Sequence, residues 1–374
     1  MIIGIDGNEA NVVNKVGISE YGFELLDQFN EYQIPNIKYQ IYLKRQPGSD
    51  FPKESEKWHY RIVKPAKLWT QFGLPFDLYT HSPRPSVFFS PTHYAPRFCP
   101  VPTVISIMDL SYIHYPQLFT AKDLYQLQNW TAYSVKNATK ILTISEASKR
   151  DIIKFYSVSQ DKVAVTYLGI KAISMTKTVD IDSLQEKYGI SKDYILFVGT
   201  LQPRKNIVRL VEAYSKLLKD PKKIPQLLIV GKKGWLYEEI LAAPKLYGVE
   251  EHVKFLEFVN DDQLHALYKH ALFFILPSLY EGFGLPVLEA MSLGCPVITS
   301  NVSSLPEAGG DAAFYIDPMN IDEITHAMEK LLADKKLRDA MTEKGYQQVK
   351  KFSWEKTAKK TLEILQEVGG NHAG

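Results

Sequence analysis

The sequence predicts an α/β protein of two doubly wound domains, each a parallel sheet with helices on both faces. Three observations lead there. Short apolar runs alternate with amphipathic helical stretches through both halves of the chain. Its 374 residues exceed what a single core usually organises. Between the halves, Gly169 to Asp193 loses the periodicity and turns polar, a composition that suits an interdomain linker. The domains therefore read as residues 1–170 and 194–352, joined by 171–193, with residues 353–374 forming a last helix.

Composition narrows the function classes. Hydrophobic residues make up 45% and charged residues 23%, the proportions of an ordinary globular protein. A net charge of +2 is too small to call for nucleic acid. Residues 1–170 hold 18 Lys and Arg against 15 Asp and Glu, the remainder 26 against 27. That slight excess points any acidic partner or membrane contact to the N-terminal domain. The two cysteines, Cys99 and Cys295, are far apart and lack metal-ligand spacing, so a reducing cytoplasm is expected. Met1 to Asp6 reads as a strand and not as a signal peptide. No stretch approaches the ~20 apolar residues of a membrane span, which leaves peripheral contact at the inner membrane face as the expected association.

Along the first half, Ile2 to Ile5 is a strand and Ile18 to Phe29 a helix. Gly17 just before that helix lets backbone approach a ligand, or simply precedes a helix start at Ser19. The spacing there is not Gly-x-Gly-x-x-Gly, which counts against a nicotinamide or flavin. Lys38 to Leu43 is a second strand. Lys53 to Pro85 is rich in aromatics, with Trp58, Trp69, Phe72, Phe76 and Tyr79 expected in the core or between domains, or else on an acceptor surface. Strands at Val87 to Phe89 and Val101 to Ile107 end in His93 and Asp109, where open parallel sheets collect ligands. A helix from Lys122 to Ala138 and a strand from Lys140 to Thr143 follow, and Ser145 reads as the N-cap of a helix to Tyr156. Lys162 to Tyr167 is the last strand of this half. In the linker, Asp180-Ile181-Asp182 has the form of an Asp-x-Asp metal motif, but its setting favours a solvated acidic stretch.

The second half opens on the strand Tyr194 to Val198, then Gly199-Thr200-Leu201-Gln202-Pro203-Arg204-Lys205-Asn206 and a helix from Ile207 to Leu218. Two adjacent cations between strand and helix suit a diphosphate, arginine as a planar fork and lysine as a compact charge; a solvated basic turn is the plain alternative. Leu227 to Val230 runs into a glycine turn at Gly231, and Val253 to Leu256 into Val259 and Asp261, the expected N-cap of a helix to His270. The apolar run Ala271 to Leu276 precedes Glu281-Gly282-Phe283-Gly284-Leu285-Pro286-Val287-Leu288-Glu289. Its glycines allow a sharp turn and Pro286 suits a helix start, so the stretch makes an anion site of amides and helix dipole. Two carboxylates beside a phosphate are best explained as acceptors for neutral hydroxyls of a sugar and a ribose. Taken singly, they also read as a surface acid and a helix-capping acid. Helices at Ile321 to Asp334, Leu337 to Phe352 and Trp354 to Val368 close the chain, with a frayed end from Gly369.

Glu281 to Glu289 resembles the Glu-x7-Glu signature of retaining, nucleotide-sugar-dependent glycosyltransferases, family four of the GT-B fold, and the resemblance covers almost the whole chain. It implies two Rossmann-like domains facing across a cleft, with the helix from Trp354 crossing back to the first. It implies a donor nucleotide-sugar held by the C-terminal domain and an acceptor, a saccharide or lipid-linked saccharide, held by the N-terminal one. Arg204 and Lys205 match the family's diphosphate clamp and with Glu281 form the catalytic set. Donor binding falls to Gly17, Gly199, Thr200, Gly231, Val259, Gly282, Phe283, Gly284, Leu285 and Glu289, and the acceptor and sugar side to His93 and Asp109.

The family commonly carries His-Asp where this chain has Met108-Asp109; a methionine cannot donate a hydrogen bond or carry charge, and His93 is the candidate to replace that histidine. The implied reaction is metal-independent, retaining transfer of a hexose, by resemblance mannose from GDP-mannose, with a UDP-sugar close behind. No cofactor beyond the nucleotide-sugar co-substrate is expected. Two other readings share these motifs: another GT-B enzyme, such as a nucleotide-sugar epimerase or a phosphorylase, and a non-catalytic nucleotide-sugar-binding protein.

Overall fold

A computed structural model of the chain describes residues 1–15, 17–32, 34–171, 179–217 and 224–370. Two compact units emerge: Met1–Gly169 with the chain from Phe352 onward, and Ile170–Lys351.

The first unit is built on seven strands: β1 (Ile2–Asp6), β2 (Lys38–Leu43), β3 (Trp58–Ile62), β4 (Val87–Ser90), β5 (Thr103–Ile107), β6 (Lys140–Thr143) and β7 (Val163–Val165). Their order is β3-β2-β1-β4-β5-β6-β7, and each neighbouring pair is parallel. β4 and β5 are buried along their whole length, as expected of strands covered on both faces. The winding reverses between β1 and β4, so the loops that follow them open a crevice at the carboxyl edge. The helix Trp354–Gly370 belongs to this unit. It lies against Ile18–Tyr32, with the Tyr21 and Trp354 rings 6.3 Å apart and the Tyr32 hydroxyl donating to the Glu355 carbonyl at 3.3 Å.

The second unit holds β8 (Tyr194–Val198), β9 (Gln226–Val230), β10 (Val253–Leu256), β11 (Phe273–Leu276), β12 (Val297–Ser300) and β13 (Ala313–Ile316). They too are parallel, in the order β10-β9-β8-β11-β12-β13. Here the reversal falls between β8 and β11, the strands that precede the Arg204-Lys205 pair and Glu281.

Several sequence expectations need correction. The aromatic segment splits in two. Trp58 and Trp69 are buried, whereas Phe72, Phe76 and Tyr79 are exposed and are not core. A π-helical turn, Trp69–Gly73, runs into the helix Leu74–Thr80, and its wider spacing puts Trp69, Leu74 and Leu78 on one inward face with Tyr42, Val63 and Phe88. The other aromatics therefore point outward. The same segment contains β3, whose aromatic and charged residues hide the strand pattern.

Within the stretch read as a linker, Ile181–Tyr188 is a helix, and residues 172–178 lie outside the described residues. Asp180 is its N-cap, accepting from the Asp182 backbone at 3.2 Å and the Ser183 hydroxyl at 2.5 Å, which accounts for the acidic pair. The cap of Asp261–His270 is Asn260 and not Asp261: Asn260 and Gln263 form a reciprocal capping box. The helix from Ile207 ends at Ser215 with Lys216 as its cap, and Leu218, the expected end, lies outside the described residues. The end expected to fray from Gly369 instead keeps Gly369, which is buried, and Gly370 in the last helix, with 371–374 outside the described residues. Among the described residues no helix is long and apolar enough to cross a membrane.

Leu365 is fully buried on the returning helix. Leu365→Ala should destabilise the first unit by about 2–5 kcal/mol. In urea melts the variant should show an earlier transition for that unit while the transition of the second unit keeps its midpoint.

Candidate active site

The site in the second unit grows from a short turn after β8. Pro203–Lys205 is a single 3-10 turn that carries both cations, and Asn206 ends it in the left-handed region at φ 61°, which asparagine tolerates better than most residues. Asn206 fixes the turn from below, its side-chain amide donating to the Pro277 carbonyl at 3.0 Å and the Pro318 carbonyl at 2.7 Å. The Leu279 backbone N–H donates to the Arg204 carbonyl at 2.8 Å. The turns after β8 and β11 are thereby joined through their main chains.

Glu281 completes the junction. Its Oε2 accepts from Arg204 Nη1 at 2.8 Å, and its Oε1 accepts from Lys205 Nζ and from the Ser278 hydroxyl, each at 2.6 Å. Arg204 Nη1 also donates to the Tyr280 carbonyl at 2.8 Å. The Glu281 backbone is held as firmly, its N–H donating to Ser303 Oγ at 3.0 Å and its carbonyl accepting from Ser304 Oγ at 2.8 Å. Burial alone would push this carboxyl up, but the charges of Arg204 and Lys205, with hydrogen bonds from Lys205 and Ser278, hold it at about 2. Glu281 is a permanent anion here and a poor base.

The remaining candidates surround this cluster. Gly284 caps the helix Leu285–Ser292 with φ 108°, a conformation that glycine adopts most easily, and Gly282 and Phe283 form the loop before it. The helix N-terminus places backbone N–H groups and the positive dipole end beside the cations. Glu289 follows one turn on and accepts from the Tyr268 hydroxyl at 3.2 Å. Burial raises its pKa, whereas that hydrogen bond lowers it. Gly199 and Thr200 leave β8 beside Gly231 at the end of β9. A Cβ on Gly231 would lie 2.0 Å from the Gly199 carbonyl oxygen, so only glycine fits there. Val259 lies past β10, two strands away from β8.

Three candidates lie in the first unit. Gly17 is in the turn ahead of Ile18–Tyr32, with open space where a Cβ would be. The Asp109 carboxylate accepts from the Ser111 backbone at 2.8 Å. His93 Nε2 accepts from the Met108 backbone N–H at 3.3 Å, which puts the ring hydrogen on Nδ1, a buried atom with no hydrogen-bond partner among the described residues. Burial lowers the His93 pKa against the pull of Asp109, and favours the neutral ring. His93 thus sits against the backbone of the methionine that stands at the family's histidine position.

Sequence reasoning missed Asn206, Ser278, Ser303, Ser304 and Tyr268. Only Asn206 carried a local signal, an asparagine between a basic turn and a helix; the serines and the tyrosine acquire partners through tertiary structure.

Comparison with known proteins gives the family and the fold. The profile of the family described as "Glycosyl transferases group 1" matches residues 180–348. The chain is 32% identical to the O-antigen chain mannosyltransferase B of Escherichia coli over 278 residues, covering 74% of this chain and 73% of that one. It is 26% identical over 97% of both chains to a Campylobacter jejuni enzyme, the N-acetylgalactosamine-N,N'-diacetylbacillosaminyl-diphospho-undecaprenol 4-alpha-N-acetylgalactosaminyltransferase. Among solved structures, Anabaena HepE in complex with UDP and glucose superimposes with a TM-score of 0.73 at 18% identity, covering 98% of this chain and 99% of that one.

The folded pKa of Glu281 lies below its ordinary value of 4.5, so the stability it contributes is present above pH 4.5 and is lost as pH falls through about 2. Glu281→Gln should therefore cost about 3–5 kcal/mol at neutral pH, the range for breaking a buried pair. In urea unfolding the gap between wild type and variant should close as pH is lowered toward 2.

Proposed function

From the premise that the chain belongs to the glycosyl transferases group 1 family, with the GT-B fold of two parallel-sheet units, we propose that it transfers a hexose, mannose first, from a nucleoside-diphosphate sugar to a saccharide or lipid-linked saccharide acceptor. The observation that carries this reading is the buried junction in which one glutamate holds an arginine and a lysine together at a helix N-terminus. Such a site is made for a diphosphate. The mannosyltransferase relative favours mannose, and the undecaprenol-linked substrate in the name of the Campylobacter relative favours a lipid-linked acceptor.

In this reading the bond between the anomeric carbon and the phosphate oxygen breaks, and its electron pair leaves on the nucleoside diphosphate. The acceptor hydroxyl oxygen bonds to the anomeric carbon and its proton passes to a departing phosphate oxygen. Charge growing on the diphosphate is met by Arg204, Lys205 and the amides from Gly282 to Leu285, with no metal needed. Glu281 keeps both cations aimed at the diphosphate; with a pKa of about 2 it is too weak a base to take the acceptor's proton, and Arg204, Lys205 and Ser278 engage both of its carboxylate oxygens. Departure and attack on one face of the sugar then retain the anomeric configuration. Glu289 takes the ribose hydroxyls, Gly199, Thr200, Gly231 and Val259 line the nucleoside side, and His93 offers Nδ1–H to the sugar or phosphate in place of the family histidine. Gly17 belongs with the donor phosphates, and Asp109 lies with His93 on the acceptor and sugar side.

Lys205→Ala should lower turnover about a hundred- to a thousandfold, the loss typical of one oxyanion donor. Glu289→Ala should raise the donor KM more than it lowers kcat. A thermal-shift panel of GDP, UDP, ADP and dTDP in EDTA names the base: a nucleotide at about a hundred times its Kd adds roughly 2.7 kcal/mol and several degrees. A flat panel, or full turnover by Lys205→Ala, would refute the clamp.

A further inference from the structure

An aromatic face of the first unit is open to solvent. Phe72, Phe76 and Tyr79 recur at spacings of four and three along the helical run from the π turn to Thr80, and Leu68 caps the run four residues before Phe72, all of them exposed. Phe72 is 63% exposed and Phe76 68%, with Leu68 and Tyr79 about half exposed. Phe98, at 75%, adjoins this run, because the Arg97 backbone N–H before it donates to the Thr70 carbonyl at 3.0 Å. A contiguous cluster of this kind on a globular unit marks a contact surface.

The charge around it is one-sided. From Lys57 to Met108 the chain carries six Lys and Arg and a single acid, Asp77. Asp77 is buried and spent on Arg61, with His81 at 3.1 Å on its other oxygen. Lys64, Lys67 and Arg84 are exposed and Arg97 is half-buried, while no exposed acid lies in that stretch. Arg84 stands over the Tyr79 ring and donates to the Tyr79 carbonyl, which sets a cation beside the aromatic face.

We propose that this face is a membrane-docking surface: Phe72, Phe76 and Phe98 enter the acyl boundary of a bilayer while Lys64, Lys67 and Arg84 lie among anionic headgroups. An aromatic stripe with flanking cations and no acid is the pattern of a helix that lies in the interface plane. The helical run is far too short to span, so contact is peripheral and reversible. The proposal gives the membrane contact expected from charge alone a definite place in the first unit, and it deepens the reading in which the acceptor is lipid-linked.

The test is sedimentation of the full-length protein with vesicles of phosphatidylcholine alone and of phosphatidylcholine mixed with phosphatidylglycerol. No donor or acceptor is present, so the outcome is independent of the transfer reaction. Wild type should sediment with the mixed vesicles, stay in solution with phosphatidylcholine alone, and release as salt is raised. Phe72→Ser with Phe76→Ser should cut partitioning about tenfold or more with an unchanged melting temperature, since both side chains are exposed. Lys64→Glu with Lys67→Glu should remove the preference for anionic lipid. Wild type left in the supernatant of the mixed vesicles would overturn the assignment, as would undiminished binding by the serine variant. A lipid-free dimer that the serine variant dissociates would overturn it in favour of self-association.

Discussion

Glu281 is the single acid between two bases in a nearly dry place, with Lys205 6% exposed and Glu281 itself 7%. Charges are costly to bury, and these are held because the glutamate pairs with both cations and hydrogen bonds fix the groups around it. Ser278 takes part of one carboxylate oxygen, Ser303 and Ser304 clamp the backbone, and Asn206 pins the opposite turn. The outcome is a site with an excess of one positive charge, set before any ligand arrives. An anion entering it meets cations that need not reorganise, which is the arrangement that stabilises a leaving group most effectively.

That these residues meet at all follows from topology. Arg204 and Lys205 are more than seventy residues from Glu281, yet each follows a strand that ends at the same sheet edge. Because β8 and β11 are the neighbours at which the winding reverses, no helix crosses over the gap between their loops. The backbone bond from Leu279 to Arg204 closes that gap into one structure. Gly231 has the same origin: the loops after β8 and β9 leave side by side, and their backbones touch.

The sequence was most legible where physics is local. Apolar runs such as those of β8 and β11 and the cap at Ser145, which accepts from Ser148 at 3.0 Å, are fixed by neighbours in the chain. The pairing of cations with the glutamate was approachable because both lie in strand-to-helix turns. What stayed hidden depends on partners far away. β13 (Ala313–Ile316) is short and only partly buried, so its pattern is weak. The helix Glu238–Leu246 holds Pro244 in its interior, a residue that argues against a helix unless packing overrides it. Phe72 and Trp69 look alike in sequence, and only the π turn decides which of them is buried. Glu281 could be read as a sugar contact from its spacing, but its full engagement with Arg204, Lys205 and Ser278 needed the fold.

The way the chain leaves the first unit and returns to it has a consequence for how such a protein is put together. Gly169 lies so close to the start of the returning helix that a Cβ there would meet the Trp354 nitrogen at 2.1 Å, and the Thr357 hydroxyl donates to the Tyr167 carbonyl at 2.6 Å. The exit and the re-entry are thus one stitched seam, sealed by the Tyr167 and Phe352 rings 5.8 Å apart. Seen from that seam, the first unit is made of two separated stretches of chain, Met1–Gly169 and the chain from Phe352, joined to each other directly where the chain leaves and returns. The end of the chain thus completes the unit that its beginning starts, and the first unit is finished only after the second has been made.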